Sequence, residues 1–280
     1  MTLAPPVTGA LSRLRAEQPH LTPALRRLAE VVLASPHEVI YQSVTELAEG
    51  AEVGEASVIR LCRDLGFKGF QDFKLALAAD LARVTDRGTG APSGAGVLER
   101  VTEAALRAVS ETSAMLAGTL EPALTALEGA RTLLIYGAGA SGISAQDYGY
   151  KLLRLGYSVG VHTDAHLAAM AAATLPAEAV VIALTRSGST LDTVKVLELA
   201  RTRGVNTLLV TERVKSPATA VADVVLYTSS SESPLTGGSI SSKIGQLLVL
   251  DALFAELLER LPNAQEAVAA TAHAVTDRNL

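Results

Sequence analysis

Cysteine, aromatic side chains and long uncharged apolar runs are all scarce in this chain of 280 residues. Cys62 is the single cysteine. That excludes an internal disulfide framework and a cysteine-based zinc site, and it fits a reducing cytoplasm. Tryptophan is absent and aromatics make up 4% of the chain, so recognition by stacking on aromatic platforms is not expected. Mean hydropathy is +0.30, yet Glu178, Asp251 and Glu256 break the apolar runs. No stretch approaches the ~20 uncharged residues of a membrane span, so no membrane partner is expected. Residues Met1 to Ala10 show no basic start followed by an apolar stretch, and no secretory leader is expected there. An excess of basic charge is missing as well. Lys and Arg total 24 against 29 Asp and Glu, a net of −5. Bulk attraction to nucleic acid is therefore excluded, though a small local DNA-reading surface is not. Histidine and carboxylates never cluster at metal-ligand spacing, so neither a metal nor a cofactor is expected.

What is present divides the chain. Residues 86–97 read Asp-Arg-Gly-Thr-Gly-Ala-Pro-Ser-Gly-Ala-Gly-Val, with no apolar periodicity, which marks a flexible linker. It separates a domain at 1–85 from a domain at 98–280. The first reads as all helix. Leu25, Leu28, Ala29, Val32 and Leu33 recur at helical spacing until Pro36. A short helix follows at 44–49, a turn at 50–54, another helix from Glu55 to about Leu65 closed by Gly66, and a last one from Phe70. After a helix at about 98–116, the second domain alternates apolar runs with helical stretches. The runs are Thr132–Tyr136, Ser158–His162, Ala179–Thr185, Asn206–Thr211 and Val224–Tyr227. Continuous apolar strands between helices predict a five-stranded parallel sheet covered on both faces, an α/β/α sandwich. A closing helix over about 240–261 would bury Leu247, Leu250, Phe254, Leu257 and Leu261.

Residues 44–63 have helix-turn-helix spacing. Ala48 supplies the small residue at the crossing, and Leu47, Val53, Val58 and Leu61 would fill the space between the helices. The second helix would offer Glu55, Ser57, Arg60 and Arg63 to a major groove, where Arg reads guanine bidentately. Lys68 and Lys74 would hold phosphates. A plain helical bundle fits the same spacing. Over 59–79 four basic residues face two acidic ones, a net of only +2. Glu52 stands where Gly suits a tight turn, and Gly54 where Ser or Thr caps better. Cys62 reads as a small buried apolar residue.

Two loops after strands suit an anion. Gly137, Gly139 and Gly142 form G-x-G-x-x-G ahead of a helix, with Asp164 after the next strand, a spacing that also fits a dinucleotide site. The strand at 179–185 runs into Arg186-Ser187-Gly188-Ser189-Thr190 at the start of another helix. Its hydroxyls and helix N–H groups make a second cradle, which a dinucleotide fold has no use for. A small phosphorylated ligand between two strand ends uses both.

Together these residues resemble the RpiR family of bacterial transcriptional regulators. The stretch Ser43-Val44-Thr45-Glu46-Leu47-Ala48 through Arg60-Leu61-Cys62-Arg63-Asp64-Leu65-Gly66-Phe67-Lys68-Gly69-Phe70-Gln71-Asp72-Phe73-Lys74 is similar to that family's helix-turn-helix domain. Ile135 to Gly142, Tyr150 to Gly156 and Ser187-Gly188-Ser189-Thr190 are similar to a SIS (sugar isomerase) domain. Gly54 departs from the family's usual Ser, and Lys243 from its frequent Arg. The resemblance implies DNA binding and a sugar-phosphate effector. It assigns Ser141 and Ser187 to the phosphosugar, with Ser189 and Thr190 extending the second cradle. Gly139, Gly142, Gly188, Lys151, Glu232 and Ser242 are implied to complete the pocket. The expected function is a cytoplasmic regulator of sugar metabolism, not an enzyme, whose affinity for a double-stranded operator is set by a sugar phosphate and which self-associates as a dimer or tetramer. The rival is a sugar-phosphate isomerase with Glu232 as base.

Overall fold

The computed structural model describes residues 9–88, 96–230 and 240–276, with the side chains of 83–88 left aside. The chain separates into two compact units between Leu98 and Glu99. Glu232 and residues 89–95 of the expected linker lie outside the described residues. The helical part of that linker is larger than the composition suggested. Helix α6 (Phe70–Gly88) carries on through 86–88 and α7 (Val97–Leu116) begins at 97.

The first unit is all α: α1 (Ala10–Glu17), a 3-10 turn (Gln18–His20), α2 (Pro23–Ala34), α3 (Pro36–Val39), α4 (Val44–Gly50), α5 (Glu55–Asp64) and α6. Its core gathers Leu14, Leu28, Leu47, Val58, Leu61, Cys62, Phe73 and Leu77, all buried. Phe67 meets Phe73 edge-on at 5.4 Å.

In the second unit α7 and α8 (Glu121–Glu128) precede β1 (Thr132–Gly137), α9 (Ala140–Arg154), β2 (Ser158–His162) and α10 (Ala165–Ala172). Then come β3 (Val180–Leu184), α11 (Leu191–Thr202), β4 (Asn206–Thr211), β5 (Val224–Tyr227), α12 (Ile240–Arg260) and α13 (Ala264–Thr276). The sheet is parallel throughout, in the order β2-β1-β3-β4-β5. Strand alternation splits the core in two, as a period of two requires. Leu133, Ile135, Val180, Ile182, Leu208 and Val210 pack with α8, α9 and α12. Leu134, Tyr136, Val181, Ala183 and Leu209 pack against the alanine-rich face of α10 and α11. The α/β/α sandwich is thus as expected. The closing helix is rotated from its expected phase: Gln246, Val249, Leu250, Leu253 and Leu257 are buried, while Leu247 and Phe254 are only partly covered. Among the described residues no helix is long and apolar enough to cross a membrane.

Candidate functional site

In the first unit, Ser43 caps α4 through a complete capping box. Its Oγ accepts from the Glu46 N–H at 3.1 Å, and its own N–H donates to Glu46 Oε2 at 2.6 Å. The chain leaves α4 through a Schellman turn. The Val53 N–H reaches the Ala48 carbonyl at 2.9 Å and the Glu52 N–H reaches Glu49 at 3.0 Å. That geometry puts Glu52 at φ +53. Helix α5 ends the same way, with Phe67 bonded to Cys62 and Gly66 at φ +85. Thr45 Oγ1 donates to Glu55 Oε1 across the turn and ties the two helices.

The exposed face of α5 presents Glu55, Arg60 and Arg63, with Ser57 half-buried and Lys68 exposed just beyond. Arg60 pairs with Asp64 at 3.7 Å, with both side chains largely in solvent. No side chain caps α5, because its N-cap is Gly54. The Ser57 N–H donates to the Gly54 carbonyl at 2.8 Å, which leaves those of Glu55 and Ala56 facing outward for an acceptor. Lys74 is a correction. It is 5% exposed, and its Nζ donates to the Gln42 carbonyl at 2.7 Å and lies 5.1 Å from the Phe70 ring centre. It pins α6 to the entrance of α4 and offers no phosphate contact. Burial pushes the Cys62 thiol up to about 12, so it stays protonated, as a packed core residue should.

In the second unit the strand order decides the place of the site. β1 and β3 are neighbours, and Gly137 lies level with Leu184. From there the chain crosses outward to β2 on one side and to β4 on the other. This is a topological switch point, where open parallel sheets leave a crevice at their carboxyl ends. The loops at 138–140 and 185–190 emerge side by side on its two lips.

The first lip is shaped by glycine. A Cβ on Gly137 would come within 2.5 Å of the Ser141 carbonyl oxygen, and one on Gly142 within 2.8 Å of both the Gly137 oxygen and Thr163 Cγ2. Gly142 is thus closed in by packing, with its N–H donating to the Gly139 carbonyl at 3.1 Å, so it shapes the turn and does not offer that N–H to a ligand as expected. Gly139 is different: φ +57 and ψ −125 place it in glycine-only space at the N-cap of α9, with nothing near its Cα face. Ser141 follows in the first turn of α9, half-buried, and its Oγ accepts from Gln246 Nε2 at 3.1 Å.

The second lip is shaped by hydroxyls. Ser187 Oγ accepts from the Ser189 N–H at 3.3 Å, and Thr185 and Thr190 bring their hydroxyls to 3.4 Å. No side chain caps α11 at Thr190. Gly188, at φ +62, is buried against Ser216, where a Cβ would come within 2.1 Å of the hydroxyl, so only glycine fits this turn. Tyr136 lies one residue before the end of β1; burial, with Asp192 and Asp164 close, raises its phenol above the usual range.

Two further expected pocket residues sit apart from this arrangement or beneath it. Lys151 is ten residues along α9 from Ser141, about 15 Å at helical rise, and is paired with Asp251 and with Asp147. Ser242 is buried in the first turn of α12. The dinucleotide reading loses its ribose acid, because Asp164 is spent as the N-cap of α10, accepting from the Leu167 N–H at 2.9 Å. Among the described residues, no group of three or more His, Cys, Asp or Glu gathers as a metal site. Gln246 is the residue that sequence reasoning missed. The available signal was its spacing from Ser242 and Leu250, a polar position in an otherwise apolar helical stripe.

Comparison with known proteins follows the same division. The family described as "Helix-turn-helix domain, rpiR family" matches residues 8–84, and the SIS domain family matches residues 126–256. The chain belongs to the RpiR family of helix-turn-helix transcriptional regulators. The HTH-type regulator YbbH of Bacillus subtilis is 36% identical over 88% of this chain and 89% of its own. The structure of Vibrio vulnificus NanR complexed with ManNAc-6P superimposes with a TM-score of 0.87 at 32% identity, covering 95% of this chain and 97% of that one. The bifunctional protein glk of Burkholderia orbicola is 33% identical over 88% of this chain, which spans only 39% of it. As an RpiR regulator, the chain joins a helix-turn-helix domain to a SIS domain.

Proposed function

We propose that this RpiR regulator senses a sugar phosphate at the switch-point crevice and converts its binding into a change in operator affinity. The observation that carries the reading is the meeting of both anion-suited loops at one crevice, in a chain that also holds a DNA-reading helix pair. Ser141, Ser187, Ser189 and Thr190 donate to the phosphate, alongside the open N–H groups of α9 and α11, and Gly139 lets the backbone approach. Glu232 completes the sugar end, as the family resemblance implies. The NanR relative, which carries ManNAc-6P, supports an effector of this class.

On DNA, α5 enters the major groove with Glu55, Ser57, Arg60 and Arg63, while Lys68 and the open N-terminus of α5 hold phosphates. Reading two half-sites about one helical turn apart requires a dimer. The protein works in the cytoplasm and senses its ligand without converting it, in keeping with relatives that are regulators. A coupling of about 1–3 kcal/mol gives a roughly 5- to 150-fold change in operator affinity. Fluorescence anisotropy on the upstream region of its own gene, with ManNAc-6P and other hexose and pentose phosphates, tests this. The expected result is a shift of the binding curve by one of them. Operator binding indifferent to all of them overturns the sensor, and turnover of any of them overturns the non-enzyme reading.

A further inference from the structure

Resting on the crevice reading above, we propose that Gln246 is a positioning residue: from α12 it sets the direction of the Ser141 hydroxyl so that its proton points at the bound phosphate. Gln246 is 3% exposed, and its side chain crosses from α12 to the first turn of α9. The amide donates to Ser141 Oγ at 3.1 Å. A hydroxyl offers one proton and two lone pairs. With one lone pair taken by Gln246, the proton is left to another acceptor, and among the described residues no protein group accepts it. Ser141 is thus presented to the crevice as a donor, the form an anion needs.

The arrangement explains a polar residue in an apolar stripe. Gln246 precedes Val249, Leu250, Leu253 and Leu257 on the buried face of α12, where an amide is costly unless bonded. It also attaches α12 to the site. The residue before it, Gly245, lies against α7: an added Cβ there would be 3.1 Å from Thr112 Oγ1. One turn of α12 therefore touches both the crevice and the helix that leads back to residue 97.

A double-mutant cycle tests the assignment on the full chain. Binding of inorganic phosphate and of glucose 6-phosphate is measured by phosphorus NMR titration for wild type, Gln246→Met, Ser141→Ala and the double variant, with thermal melting as a folding check. Gln246→Met should weaken both ligands about fivefold. The same change in the Ser141→Ala background should do nothing more, because its effect passes through that hydroxyl. Gln246→Glu, which keeps the shape but takes the proton from Ser141, should weaken binding further than Met. Equal losses from Gln246→Met in both backgrounds, or no loss at all, overturn the positioning role and leave the crevice reading intact. A Ser141→Ala chain that binds both ligands as wild type does overturns the crevice reading itself, and the positioning role with it.

Discussion

In the proposed function the helix-turn-helix face and the switch-point crevice recognise by opposite means. On α5 the proposed reading groups are long side chains standing in solvent, with Arg60 held by little more than a surface ion pair to Asp64. In the crevice they are short hydroxyls and backbone N–H groups, on loops where Gly137, Gly142 and Gly188 leave no room for a Cβ. One surface can change its contacts without touching the fold. The other is made of the fold, so at its tight glycines stability and binding fail together. The largest test is Gly137→Ala. Its Cβ would meet the Ser141 backbone at 2.5 Å, where no flexible side chain can yield. The SIS unit should lose about 3 kcal/mol in calorimetric unfolding, and ligand binding with it. A stable, ligand-binding variant would show that the first lip is softer than its packing indicates.

Ser187→Ala comes next and separates the two properties within the crevice. The hydroxyl lies on the second lip and supports no strand, so unfolding should shift by less than about 0.5 kcal/mol. Losing a hydrogen bond to a charged group costs roughly 1.5–3 kcal/mol, which calorimetry should read as a ten- to hundredfold weaker sugar phosphate. An unchanged affinity would remove the second loop from the site. Smaller again is Arg60→Ala on α5. Its pairing with Asp64 is exposed and adds little stability. Operator affinity should drop about tenfold and relax at one base position, with melting unchanged. A uniform loss across all sequences, with a shallower salt slope, would instead make Arg60 a phosphate contact.

How much of this was legible in the sequence follows the same contrast. Strands such as Val180–Leu184 announce themselves, because a run buried on both faces is apolar at every position. The order β2-β1-β3-β4-β5 has no local signal, and it alone puts the two loops on one crevice. The lysines were the weakest point. Lys74 and Lys151 look like phosphate ligands in a list of residues, but whether a lysine stem lies on Phe70 or reaches Asp251 depends on packing between distant elements. The glycines were half legible. Their spacing marked a tight first loop, but only the backbone shows that Gly139 opens it while Gly142 closes it, as Gly188 closes the second. Helices α8 and α13 went unread, being short or weakly periodic stretches beside stronger signals.

The smallest effect lies at the turn between α4 and α5, and there the first unit breaks the rule that the crevice keeps. Among the described residues Glu52 is the one non-glycine at positive φ, in the same turn position that Gly66 fills after α5. A side chain in that region costs about 1 kcal/mol, which glycine avoids, although glycine gives back part of the gain through its freer unfolded chain. Only the backbone of Glu52 is engaged, its N–H donating to the Glu49 carbonyl at 3.0 Å and its own carbonyl accepting from Arg27 Nη2 at 3.3 Å, and the substitution keeps both. Glu52→Gly should therefore raise the stability of the helical unit by up to about 0.5 kcal/mol, a melting shift of a few degrees for a unit this size. Operator affinity should not fall, since the change removes a negative charge beside the reading helix. If stability falls instead, the Glu52 side chain makes a contribution larger than its backbone strain, and the difference between the two turns is a chosen one.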